Sequence, residues 1–280
     1  MVAWLFARSS ASEFVLRVED LDPNACRSEH EASQLADLRV LGLGWDGPVV
    51  HQSTRLDRYH EVISGLVAEG HTYECFCTRR EVLEAAAAPH DHLPEGAYPG
   101  TCRELTERER AERLRAGRPP AVRLHAAAAT ESFVDRVHGV FEGAVDDFVI
   151  RRNDGTPAYN LAVVVDDADA VVGEVVRGDD LLPTTPRQIF LARLLDIPVP
   201  AYAHVPLVLG PDGERLAKRH GAVTLADRIA VGSSIDEVRS LLATSLGLAE
   251  TGEIVTMPEL VHRFDVDSLP TAPWVLPAET

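Results

Sequence analysis

Residues 157–165 read Pro-Ala-Tyr-Asn-Leu-Ala-Val-Val-Val. After Asn160 the run is wholly apolar, so it fits a strand or a helix buried on both faces, and its own period does not choose between them. Just before it, Asn153-Asp154-Gly155 is a hairpin signal, because these residues tolerate the left-handed backbone of a tight turn. Beyond it, residues 187–195 read as a helix and the stretch around 203–209 as a strand. Towards the N-terminus, Phe14-Val-Leu-Arg-Val18 reads as a short strand followed by the acidic turn Glu19-Asp20-Leu21-Asp22-Pro23. Ser28 and Glu31 have capping-box spacing ahead of Leu35, Leu38 and Leu41. A second helix runs over about 55–68, with Tyr59, Ile63 and Leu66 on one stripe and Gly70 as its stop. Strands alternating with helices argue for a parallel, doubly wound α/β sheet, interrupted by an insertion near residues 75–145.

The 280 residues, 45% hydrophobic and 25% charged, are the composition of an ordinary globular protein. Four cysteines do not make a disulfide scaffold, and the opening Met-Val-Ala-Trp-Leu-Phe lacks the basic run-up of a signal peptide. No run is long enough to span a bilayer as a helix. These features predict a reducing, cytoplasmic setting. A formal charge of -17 repels phosphate backbones on average, so contact with nucleic acid needs a local basic surface. Residues 103–123 carry seven arginines. Interleaved with Glu104, Glu107, Glu109 and Glu112, they fit a solvated helix better than a nucleic-acid stripe.

Three groups of residues carry chemistry. Cys75 and Cys77 leave the same face of an extended backbone, and the turn in Tyr98-Pro-Gly-Thr-Cys102 brings a thiol and a phenol back towards them. Three sulfurs and one oxygen suit a structural Zn²⁺; the competing reading is that they are core residues, with Tyr98 merely packing. Cys26 stands apart as a buried thiol. The glycine turn 210–213 presents Arg215, Lys218 and Arg219 on a loop, which suits a nucleotide's phosphates but also an exposed hairpin tip. Glu19, Tyr159 and Arg177 interrupt apolar stretches. Arg177 can fork a carboxylate and Glu19 can receive an ammonium group, as an amino acid ligand demands, unless the two residues pair with each other.

Several segments occur here in the order found in class I glutamyl-tRNA synthetases. They are Arg17-Val-Glu-Asp-Leu-Asp22, Cys75-x-Cys77 with Tyr98-x-x-x-Cys102, 152–162, Val176-Arg-Gly-Asp-Asp-Leu181, Thr185-Pro-Arg-Gln188, His204-Val-Pro-Leu207 and Leu216-Ala-Lys-Arg219. The chain resembles that family over residues 1 to about 225. It is most similar to the branch that lacks an anticodon-binding domain and glutamylates queuosine in tRNA(Asp), since only about 60 residues follow the lysine loop. The resemblance implies a Rossmann-like parallel sheet in two parts, 1–74 and 146–225, a zinc-containing insertion at 75–145 and a small helical region at 226–280. It implies L-glutamate, ATP with Mg²⁺, and the anticodon arm of tRNA(Asp) as partners of a monomer. Glu19, Tyr159 and Arg177 would hold glutamate, Lys218 the triphosphate, and Cys75, Cys77, Tyr98 and Cys102 one Zn²⁺. A shortened synthetase charging tRNA(Glu) and a catalytically silent binding protein are the rival implications.

Two departures matter. Members of the family begin with a strand carrying a basic residue, a small-residue loop and a His-x-Gly-His-like signature, whereas residues 2–7 read like the second half of the helix that follows. The expectation is that the natural start lies upstream and that the 280-residue chain adenylates little. Ala217 stands where the lysine-loop signature usually has serine.

Overall fold

A computed structural model describes residues 1–22, 26–86, 97–216 and 224–277. Helix α1 (Val2–Ser9) leads through an extended segment to β1 (Arg17–Val18), α2 (Ser28–Val40), β2 (Val50–His51) and α3 (Leu56–Ala68). Strand β3 (Thr72–Cys75), α4 (Arg79–Ala86), α5 (Glu107–Arg115), β4 (Ala121–Leu124), β5 (Thr130–Asp135), β6 (Gly139–Ala144) and β7 (Val149–Arg151) form the middle of the chain. There follow α6 (Tyr159–Asp169), β8 (Glu174–Gly178), α7 (Thr185–Leu194), β9 (Ala201–Val205) and β10 (Val208–Leu209). The chain closes with α8 (Leu225–Ala230), α9 (Ile235–Ser245), α10 (Met257–Arg263) and β11 (Trp274–Val275).

The ambiguous run at 157–165 is a helix. Ala158 N–H still donates to the Ile150 carbonyl, so the chain returns beside β7 for two residues before α6 begins. Leu161 to Val165 are all buried against α3, α7 and the β7 strand. Each such side chain contributes about 1.5–3 kcal/mol by leaving water, enough to override the strand preference of three consecutive valines. Asp166, Asp167 and Asp169 then sit near the C-terminal end of the helix, where the macrodipole disfavours anions. Arg17, Arg55 and Arg58 compensate. Asp166 accepts from Arg55 Nε (2.7 Å), Gln52 (2.8 Å) and the Tyr59 hydroxyl (2.8 Å), tying α3 to α6.

The expected α/β class holds, but the described strands form several small sheets rather than one. β8, β9 and β5 run parallel, with β6 added antiparallel in the order β6-β5-β9-β8. β1 and β2 form a separate parallel pair, and β10 pairs in parallel with β11. β3, β4 and β7 make an antiparallel sheet within the expected insertion and its exit. Other local expectations shift by a residue or two. The helix expected over 55–68 starts at Leu56 after a 3₁₀ turn, Gln52–Arg55, and Gly70 ends it with φ +78°. Thr78–Glu81 and Thr106–Glu109 bond reciprocally as capping boxes. Helix α2 starts at Ser28 with Arg27 at its N-cap, one residue before the expected cap, and the Glu31 carboxylate lies 2.8 Å from His51 Nε2. On α5 and around it, Arg108 pairs with Glu112, Arg110 with Glu74 and Arg118 with Glu81, which is the charge-laced surface expected.

Candidate active site

Arg177 lies near the carboxyl end of β8, opposite His204 on β9. Its Nε donates to His204 Nε2 (3.0 Å), Nη1 to Gln188 Oε1 (2.7 Å) and Nη2 to Thr185 Oγ1 (2.7 Å). Gln188 is oriented in turn, because its amide nitrogen donates to Asn160 Oδ1 at 3.0 Å. All three partners of Arg177 are neutral acceptors, and no carboxylate among the described residues lies within ion-pair distance of it. A guanidinium has five N–H donors, so these three bonds leave one on each terminal nitrogen, with the Tyr159 hydroxyl also within the guanidinium's reach. The Tyr202 ring lies 5.4 Å below the guanidinium, and burial pushes the Tyr202 hydroxyl up to about 12.

Glu19 follows β1. The possible Glu19–Arg177 ion pair is not formed; Glu19 takes Arg17 Nη2 at 3.2 Å, and Arg17 Nη1 binds Asp167 at 2.5 Å. Tyr159, at the start of α6, lies between the two ends of the site. Burial raises its hydroxyl pKa, Arg177 and Arg17 pull it down, and Glu19 adds to the rise, so all three charges reach the same phenol. Glu19, Tyr159, Gln52 and Arg152 line a cleft of about 640 Å³ that extends to Cys75 and Cys77.

At the far end of that cleft, β3 and the turn before α5 bring Cys75, Cys77 and Cys102 together, with all three sulfurs within 4.8 Å of one another. Cys77 and Cys102 Sγ are 3.5 Å apart, and the Tyr98 hydroxyl is 3.3 Å from Cys75 and 3.6 Å from Cys77. Tetrahedral Zn–S bonds of about 2.3 Å place neighbouring sulfurs roughly 3.8 Å apart, so the donor set fits such an ion. Hydrogen bonding from Cys102 holds the Cys75 thiol well below its usual range, while Cys102 and Tyr98 are pushed up, Cys102 chiefly by that same bond and Tyr98 by burial. Metal binding would therefore release protons. Cys26, expected as an isolated buried thiol, is only half-buried and lies 3.5 Å from the Glu19 carbonyl.

Lys218, Ala217 and Arg219 lie outside the described residues. The hairpin leading to them is formed: Gly213 N–H donates to Gly210, Gly210 N–H to Glu214, and Arg215 pairs with Asp180, three residues beyond Arg177.

The family described as tRNA synthetases class I (E and Q), catalytic domain, matches residues 1–279. This chain belongs to that family. A glutamyl-Q tRNA(Asp) synthetase of Nocardia farcinica is 58% identical over 276 residues, covering 99% of this chain and 86% of the relative. Another of that name, from Symbiobacterium thermophilum, is 47% identical, covering 100% and 90%. The glutamate-tRNA synthetase structure of Elizabethkingia anophelis shares the fold, with TM-score 0.81 at 24% identity, over 99% of this chain and 63% of that one. The resemblance drawn from the motifs therefore holds; the glutamate-tRNA ligase of Aquifex aeolicus also matches 99% of this chain, at 39% identity, but over only 60% of its own length, whereas the two glutamyl-Q relatives are covered to 86% and 90%.

The motifs containing Thr185, Gln188 and His204 give these residues no role in the sequence alone, and the same is true of Arg17 as the partner of Glu19. Spacing offers a signal only for the last, since Arg17 and Glu19 stand two apart around a strand end and leave the same face.

Proposed function

We propose that this synthetase activates L-glutamate with ATP and passes the glutamyl group to queuosine in the anticodon arm of tRNA(Asp). The observation that carries the residue assignments is that Arg177, beside Tyr159, is held by neutral acceptors with no carboxylate of the described residues at ion-pair distance. A carboxylate clamped by two N–H donors spreads its charge into the clamp and becomes a poorer nucleophile. Arg177 is accordingly assigned the side-chain carboxylate of glutamate, Glu19 its ammonium group, and Tyr159 the wall between them. The free α-carboxylate attacks the α-phosphorus of ATP, accompanied by Mg²⁺, and the bond to pyrophosphate breaks. A queuosine hydroxyl then attacks the carbonyl carbon of the mixed anhydride, its proton is lost, and AMP leaves. That step needs positioning rather than an enzymatic nucleophile. Lys218 is assigned to the triphosphate as its charge develops.

Cys75, Cys77 and Cys102 would hold one Zn²⁺, with Tyr98 as the fourth donor, and the ion would supply a rigid cross-link between β3 and the turn before α5. The catalytic unit is read as residues 1–74 and 146–225, the insertion as 75–145 and the helical region as 226–280, in a monomer acting in the cytoplasm. The test is to incubate the protein with labelled glutamate, ATP and queuosine-containing tRNA(Asp), and to map the label by nuclease digestion. Label in the anticodon arm supports the reading. Label on the terminal adenosine, or transfer to tRNA(Glu), contradicts it.

A further inference from the structure

Among the titratable groups to which the proposed reaction gives no role, His204 and Asp135 are the most deeply buried pair. Both side chains are 0% exposed, and His204 Nδ1 lies 2.6 Å from Asp135 Oδ2. Asp135 also accepts the backbone N–H groups of Val137, His138 and His204, at 3.0 to 3.2 Å. Every hydrogen-bond partner of this carboxylate among the described residues can donate, which stabilises its ionised form and leaves Nδ1 of the imidazole to carry a proton.

The consequence is felt on the other side of the ring. A neutral imidazole protonated on Nδ1 has a lone pair on Nε2, and that atom receives Arg177 Nε–H at 3.0 Å. Thr185 Oγ1, which lies 3.0 Å from the same nitrogen, accepts from Arg177 Nη2 and donates to the Leu181 carbonyl, so it holds the second nitrogen on that edge of the guanidinium. The opposite tautomer, or an imidazolium, would point N–H at N–H.

We propose that His204, held in its Nδ1–H tautomer by Asp135, is the positioning residue that aims Arg177 for carboxylate recognition. Hydrogen bonds run outward from Arg177 in two directions, through His204 to Asp135 on one side and through Gln188 to Asn160 on the other, and the second arm ends at the residue next to Tyr159 on α6. This network explains why a neutral shell surrounds Arg177: acceptors without charge fix its orientation and leave its charge for a ligand. The proposal rests on the assignment of Arg177 to the glutamate carboxylate.

The test measures L-glutamate affinity by calorimetry for the wild-type protein, Arg177→Ala, His204→Leu and His204→Gln, with thermal unfolding as a check that each is folded. His204→Leu removes the acceptor for Arg177, and a lost hydrogen bond to a charged group corresponds to about a 10- to 100-fold loss of affinity. His204→Gln restores an acceptor near the place of Nε2 and is expected to recover most of that loss. Unchanged affinity in His204→Leu, or equal losses in the Leu and Gln variants, overturns the proposal. If His204→Leu does not fold, long-range proton–nitrogen correlation of the imidazoles in the wild-type protein decides: a neutral Nδ1–H ring supports the proposal, and an Nε2–H ring or a cation near neutral pH overturns it. Unchanged affinity in Arg177→Ala instead removes the carboxylate assignment itself, and the positioning role with it, whereas loss in Arg177→Ala alone removes only the role of His204.

Discussion

Arg177 and Arg55 are both partly buried arginines whose N–H groups are bound at 2.6–3.0 Å, yet they sit in opposite electrostatic surroundings. Arg55 binds two carboxylates, Asp166 and Asp169, and its pKa is raised even though burial opposes the charge. Arg177 binds an imidazole, an amide and a hydroxyl. The first arrangement cancels charge and fastens α3 to α6. The second fixes a cation without cancelling it, and a cation of that kind is a receptor for an anion that arrives later. Partner chemistry thus separates scaffold from site more clearly than depth of burial does.

Substitutions should separate the two regions along different readouts. Arg177→Ala should lower L-glutamate affinity by at least about 100-fold, since two bonds to a charged group are lost, while thermal unfolding changes little. Asp166→Ala should do the reverse. It removes a buried carboxylate that serves Arg55, Gln52 and Tyr59 together, at a cost of about 3–5 kcal/mol in denaturant unfolding. Equal effects of both variants on stability would break the comparison.

The cysteine cluster offers a third, intermediate case, in which buried groups are to be compensated by a metal rather than by side chains. Cys102→Ser should abolish retention of one zinc per chain through gel filtration and raise protease cleavage within 75–145, with only an indirect effect on glutamate affinity. The smallest effect is expected from pH. Burial lowers the pKa of His204, so the native state holds it neutral while the unfolded chain takes up a proton below about 6.5. Stability should therefore fall as pH drops below that value, towards the lower folded pKa, by at most about 1.4 kcal/mol per unit from this group. Asp135, with its pKa lowered by hydrogen bonds from backbone N–H groups and from His204 despite burial, adds to the loss as pH falls from the ordinary carboxylate value to its lower folded value. His204→Gln should flatten the upper part of the profile.

What the sequence disclosed follows from how far apart the interacting residues are. The cysteine cluster was legible because a strand and one turn assemble it within 28 residues, and geometry then placed Tyr98 where the spacing had suggested. The pairing of Glu19 with Arg17 lay within reach of strand alternation. By contrast, His204 and Asp135 are 69 positions apart on β9 and β5, and no period links them. The helix at 157–165 was ambiguous for a related reason: a segment buried on all sides shows no polar face to reveal its repeat, and only its packing against α3 and α7 settles it. The start of α2 differs from the expected cap by one residue, and the Glu31–His51 contact spans 20 residues, beyond what capping-box spacing can show.

The most direct measurement is a crystal structure of the protein soaked with L-glutamate. The account predicts the side-chain carboxylate forked on the terminal nitrogens of Arg177, the ammonium group on Glu19, and His204 and Gln188 still bound to the guanidinium. Glutamate bound with Arg177 touching only its present partners, or with its ammonium group away from Glu19, would contradict it.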